Sequence, residues 1–66
     1  MTALAIPETL PDFTRLWLVY LDKSLQERAE QEGVTKVQVA TGLLDRSRGT
    51  LHHMLRIYLQ LAERTP

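Results

Sequence analysis

The sequence predicts an all-α fold: a three-helix domain with a long N-terminal helix and a C-terminal helix-turn-helix, which we expect to pair as a two-fold dimer. Apolar residues recur at steps of three and four, and no segment alternates in the manner of a β-strand. Helix start and stop residues divide the chain into one long and two shorter segments. The 66 residues form one small domain, whose marginal core would gain from burying a further face against a second subunit.

The first predicted helix follows a flexible N-terminal arm at residues 1–11, where two prolines interrupt any periodicity. The helix should begin near Asp12, which can cap free N–H groups, and stop at Gly33. Its apolar stripe is Leu10, Phe13, Leu16, Trp17, Tyr20, Leu21, Leu25 and Ala29.

The middle of this helix is apolar on more than one side, because Leu18 and Val19 lie off the stripe. A solitary domain would bury a single stripe, so the surplus predicts a second buried surface. We therefore expect a homodimer, with an interface formed by Phe13, Leu16, Trp17, Tyr20 and Leu21.

The second helix has a clear start signal. Thr35 and Gln38 fit a capping box, in which each side chain bonds the backbone N–H of the other residue. Asp45 and Arg46 form the turn that follows. The apolar positions of this short helix are Val37, Ala40, Leu43 and Leu44.

The third helix should run from Arg48 to Ala62 or Glu63, with the Ser47 hydroxyl accepting from the N–H of Gly49 or Thr50 as its N-cap. Its predicted buried stripe is Leu51, Met54, Leu55, Tyr58, Leu59 and Ala62.

Together these two helices meet the demands of a DNA-binding helix-turn-helix. Ala40 is small enough for a close crossing, and Leu44 is a large apolar residue at the end of the first helix of the pair. Outward arginines at the start of the next helix can pair with guanine or grip a phosphate. The candidate DNA-binding residues are Lys36, Arg46, Ser47, Arg48, Gly49, Thr50, His52, His53 and Arg56.

Charge is unevenly distributed along a chain whose formal total is zero. Residues 1–33 hold six acids and three bases, a net −3, whereas residues 34–66 hold two acids and five bases, a net +3. A local positive face is what meets phosphate. The alternative is that a small domain acquires such a split by chance and that the arginines are simply solvated.

The stretch ATGLLDRSRGTLHHMLRIY resembles the C-terminal helix-turn-helix of the Fis family, which includes nucleoid proteins and the DNA-binding tails of nitrogen-regulator-type activators. Ser47, Arg48, Thr50, Leu51, Leu55 and Tyr58 fall on the family's positions in register. The resemblance covers the last half of the chain. It implies a dimer whose paired helices, here 48–62, enter adjacent major grooves. Asp45 stands where the family usually has a turn glycine, and Arg46 where it has a buried Ile or Val.

The sequence thus predicts a sequence-specific or nucleoid-type DNA-binding protein, with residues 12–66 serving both dimerisation and binding of double-stranded DNA. The alternative is a helical protein-interaction module, an adaptor or antitoxin-like protein that does not bind DNA. No catalytic set is recognisable, and we expect no enzyme activity, no cofactor and no metal site in a chain without cysteine. We also expect a complete, cytoplasmic, nucleoid-associated protein with no membrane partner.

Overall fold

The computed structural model describes residues 4–64 and places three α-helices in that range: α1 (Asp12–Glu32), α2 (Lys36–Leu44) and α3 (Gly49–Arg64). Each helix contacts both of the others, and the apolar core lies among all three. Between residues 4 and 64 the chain contains no β-strand, so the predicted all-α class is confirmed. None of these helices combines the length and apolar composition that a membrane span requires.

The ends of α1 lie where the sequence predicts them. Pro11 occupies the N-cap position without a side-chain cap, so Asp12 is the first helical residue rather than the cap itself. There its carboxylate interacts favourably with the positive end of the helix dipole, and it accepts a hydrogen bond from Arg15. Gly33 ends the helix with a φ of 68°, a left-handed conformation that glycine adopts without steric cost.

The face that α1 buries differs from the predicted stripe in its first half. Leu18, predicted to lie off the stripe, has no exposed surface, whereas Phe13 and Tyr20 point away from the core. The N-terminal half of α1 is apolar on two sides, so the periodicity alone permits two phases. The second half decides between them, because only one phase continues inward along the helix. The buried residues of α1 are Leu18, Leu21, Leu25 and Ala29.

Helix α2 begins with the predicted capping box. The Thr35 hydroxyl accepts from the Gln38 N–H at 3.1 Å, and the Gln38 side chain accepts from the Thr35 N–H at 2.9 Å. The buried residues are Val39 and Ala40, while Val37, predicted to face inward, is 47% exposed. The side of α2 that faces the other helices therefore consists of Lys36, Val39, Ala40, Leu43 and Leu44.

Helix α3 begins at Gly49, one residue after the predicted start. Leu61, which the predicted stripe omits, is buried, and Leu51, which it includes, is 38% exposed. Leu59 and Ala62 are partly buried and pack against the core. The buried residues are Met54, Leu55, Tyr58 and Leu61.

The N-terminal segment is described from residue 4 onward. Leu4, Ile6 and Leu10 are partly buried and pack against the core. A turn precedes α1, closed by a 3.3 Å bond from the Leu10 N–H to the Pro7 carbonyl. Residues 1–3 and 65–66 lie outside the described range, and the flexibility expected for residues 1–11 stays a prediction.

One carboxylate oxygen joins all three helices. Asp22 Oδ1, on α1, accepts from Lys36 Nζ at 3.0 Å and from Tyr58 Oη at 2.6 Å, residues that lie on α2 and α3. The Asp22 and Lys36 side chains are only about a fifth exposed (23% and 21%). Burial, and then the hydrogen bond to Asp22 and its negative charge, raise the pKa of Tyr58 far above the ordinary value of a phenol. The tyrosine therefore stays a protonated donor further into the alkaline range than an ordinary phenol does.

Removing this donor should weaken the fold. We expect Tyr58→Phe to lower the free energy of unfolding by about 1.5–3 kcal/mol, the usual range for a hydrogen bond to a charged partner. Urea denaturation followed by circular dichroism measures the loss. Tyr20→Phe is the matched control, because the exposed Tyr20 side chain should lose nothing measurable. Equal stability of the two variants would contradict a structural role for the Tyr58 hydroxyl.

The stability lost in Tyr58→Phe should also become smaller at alkaline pH. Because the folded-state pKa of Tyr58 exceeds the unfolded value, its contribution is fully present below about pH 10 and is lost as pH rises toward the folded pKa. The difference in stability between the wild type and Tyr58→Phe should therefore shrink above about pH 10. A difference that stays constant from neutral pH to about pH 11 would contradict the shift.

Candidate nucleic-acid interface

The turn between α2 and α3 is fastened to the last carbonyl of α2. Leu44 O lies 3.4 Å from the Ser47 backbone N, 3.3 Å from Ser47 Oγ and 3.2 Å from His52 Nδ1. A carbonyl only accepts, so Nδ1 of His52 carries the proton in this contact. These bonds satisfy an otherwise free helix-end carbonyl and fix the turn against both helices.

Two candidate DNA-binding side chains, Ser47 and His52, therefore form hydrogen bonds within the fold. Ser47 donates its hydroxyl hydrogen toward α2, whereas the sequence predicted an N-cap that accepts from the start of α3. That N-cap prediction is wrong, because the Ser47 hydroxyl donates to the Leu44 carbonyl and α3 begins two residues later, at Gly49. His52 is half-buried, and its ring is oriented by the same carbonyl.

The left-handed residue of this connection is Gly49, not Asp45. Gly49 has a φ of 67°, whereas Asp45 is right-handed, with φ −65° and ψ −24°. Helix α2 thus ends without a left-handed residue, and the chain changes direction at the entry to α3. A Cβ built on Gly49 meets nothing within 4 Å, so the backbone angle rather than crowding favours glycine there.

The turn and the outer side of α3 expose a set of basic side chains. Gly49, His53, Arg56 and Gln60 follow one another at steps of four, three and four, which places them on one strip of the helix, opposite the buried residues. Thr50 is also exposed, beside this strip. We call the basic face the set of exposed residues Arg46, Arg48, His53 and Arg56.

Electrostatically, this surface is nearly free of acids. Asp45 is the only acidic residue between Gly33 and Ala62. Lys36, predicted to touch phosphate, does not join the basic face with a free ammonium group, because its Nζ pairs with Asp22. The positive charge of the face therefore rests on three arginines.

Helix α1 carries a second exposed surface, made of apolar side chains. The outer apolar face consists of Phe13, Leu16, Val19 and Tyr20, which are 67%, 70%, 57% and 70% exposed. At about 100° per residue these side chains point away from the buried side of α1.

Two residues of the predicted dimer interface stand apart from this face. Leu21 is only 6% exposed and packs inside its own chain, so assigning it to the interface is wrong. Trp17 is half-buried against the core and reaches the outer apolar face only at its edge. Val19 was missed, because it lies off the stripe chosen from the periodicity.

Comparison of the chain with known protein families, curated proteins and solved structures found no significant match. Among residues 4–64 there is no group of three or more His, Cys, Asp or Glu side chains placed to hold a metal ion. The functional assignment therefore depends on the two exposed surfaces themselves.

The glycines of this region should respond differently to a methyl group. Gly49→Ala forces an alanine into a left-handed conformation, and we expect a loss of about 1–2 kcal/mol. Gly42→Ala is the matched control: Gly42 lies inside α2 with open space at its Cβ position, so we expect a gain of about 0.5–1 kcal/mol. Thermal unfolding measures both, and stabilisation by Gly49→Ala would contradict the left-handed entry to α3.

Proposed function

We propose that this chain is a small dimeric DNA-binding protein in which α2 and α3 act as a helix-turn-helix. The observation that carries the proposal is the basic face, whose arginines are exposed on the turn and on the first half of α3. The buried residues of α3 lie on its opposite side, so the basic side is free to meet another molecule. The major groove admits a helix presented in this way.

The roles within this face follow from position. Arg48 precedes α3, where a side chain can reach a base edge. Arg56 lies about two turns further along, where the helix leaves the groove, and we assign it to a phosphate. Arg46, in the turn, is placed to contact a phosphate, as is the exposed hydroxyl of Thr50. The register shared with the Fis family, from Ser47 to Tyr58, supports the same assignment.

The outer apolar face supports the dimer. In an antiparallel pairing of two α1 helices centred between residues 17 and 18, Leu16 of one copy faces Val19 of the other. Pairing would cover aromatic side chains that otherwise remain in water and would double the DNA contacts of a single subunit.

A protein-interaction module is the second candidate. The specific observation in its favour is that Lys36 and His52 form hydrogen bonds within the fold, to Asp22 and to the Leu44 carbonyl. The basic face is therefore smaller than the sequence predicts. In that case the outer apolar face would take an amphipathic helix of another protein. Absence of DNA binding at low salt would favour this alternative.

Binding of DNA should be strongly salt-dependent. If a dimer makes four arginine–phosphate contacts, through Arg46 and Arg56 of each subunit, affinity for a mixed-sequence duplex should fall about a hundredfold between about 50 and 200 mM salt. Arg56→Gln should lower both the affinity and the salt slope, by about 0.9 for each phosphate contact removed. Fluorescence anisotropy measures both. The control Lys23→Gln makes the same charge change on α1, outside the basic face, and should have little effect; equal effects of the two variants would contradict the assigned face.

The oligomeric state tests the α1 surface. We expect Leu16→Glu to convert a dimer into a folded monomer, because the side chain is exposed and its loss leaves the core intact. Gln31→Glu adds the same charge at an exposed position in the polar half of α1 and should leave the dimer unchanged. Sedimentation velocity at micromolar concentration distinguishes the two, and a wild type that is already monomeric there contradicts the dimer.

A further inference from the structure

A notch between the end of α1 and the outer side of α2 is lined by three side chains that can donate hydrogen bonds, Arg28, Gln38 and Arg46. It measures about 210 Å³. Arg28 and Glu32 line it from α1, Gln38 and Gly42 from α2, and Arg46 from the turn, with Val39 and Leu43 completing the wall. The sequence predicted only Arg46 as a functional residue of this group.

The donors of the notch outnumber its free acceptors. Glu32 is the one carboxylate, and it is already paired with Arg28 Nε at 2.9 Å. The Gln38 side-chain oxygen accepts from the Thr35 N–H in the capping box, so its amide NH₂ group is the part left for an outside partner. With two guanidinium groups and one carboxylate, the lining carries a net charge of +1 and suits an anion.

Gly42 is the second, independent observation. A glycine inside a helix costs about 0.5–1 kcal/mol relative to alanine, and nothing within this chain requires it. Its φ is not left-handed, and a Cβ placed there meets nothing within 4 Å. Because Gly42 lines the notch, a methyl group there would project into space that belongs to no residue of the chain.

We propose that this notch seats one phosphodiester group of bound nucleic acid, held by Arg28, Arg46 and the Gln38 amide over the bare backbone of Gly42. The inference rests on the proposed DNA-binding function and adds a contact site to it. Arg46 belongs both to the notch and to the basic face, so the two surfaces are continuous and can follow one strand. In a helix-turn-helix the first helix of the pair crosses the DNA backbone, which is where α2 would place this seat.

The test measures duplex affinity by anisotropy over a salt series for the wild type and two notch variants. Arg28→Gln should reduce affinity roughly 5- to 10-fold at about 0.1 M salt and lower the salt slope by about 0.9 for each notch in contact with the duplex. Gly42→Ala should weaken binding several-fold while raising the melting temperature, a combination that damage to the fold does not produce. Lys23→Gln, with the charge change of Arg28→Gln, should leave binding unchanged.

The outcomes separate the notch from the wider function. Wild-type binding with no effect of Arg28→Gln or Gly42→Ala overturns the notch and leaves the proposed function standing. If the wild type binds no duplex at low salt, the proposed function fails, and inorganic phosphate then tests the notch directly. A saturable shift of the Gly42 amide NMR signal that Arg28→Gln abolishes would support an anion site, and its absence would overturn the inference.

Discussion

The shared hydrogen bonding of Asp22 sets the geometry on which the other features depend. Its Oδ1 atom holds α2 through Lys36 and α3 through Tyr58, while the apolar neighbours of Asp22 on α1 form the core. The carboxylate has two donors and keeps partial contact with water, so its desolvation is offset without deep burial. This arrangement fixes the rotation of α1 about its axis, and thereby decides which of its two apolar sides faces water.

The element boundaries could be predicted from the sequence because local chemistry determines them. Gly33 stops α1 by its tolerance of positive φ, and the capping box of Thr35 and Gln38 starts α2 regardless of tertiary context. The phase of α1 could not be predicted in this way, since a helix that is apolar on two sides gives two equivalent periodic fits. The continuation of Leu18 and Leu21 into Leu25 and Ala29, in the otherwise polar second half of α1, was the available sign of the inward side.

The candidate site divides in a similar way. The exposure of Arg56 follows from the phase of α3, whereas Arg46 and Arg48 are exposed because they lie in the turn before that helix. The roles of Lys36 and His52 depend instead on partners 14 and 8 residues away in sequence, Asp22 and the Leu44 carbonyl. Such pairings arise only when helices pack, so a basic residue inside the fold and one on its surface look alike in the sequence. No sequence pattern indicates Gly42, because its proposed role depends on the empty space beside it.

The convergence of donors on the Leu44 carbonyl has a consequence for how adaptable this protein can be. The backbone from Asp45 to Arg48 is clamped at its base, so the arginines it carries can change rotamer while their anchoring Cα atoms stay in place. A ligand that docks here meets a nearly finished surface and orders side chains alone, at about 0.5–1.5 kcal/mol each. A duplex would then have to bend or change its groove width to match the protein, and its stiffness, as much as its base sequence, would enter the choice of site.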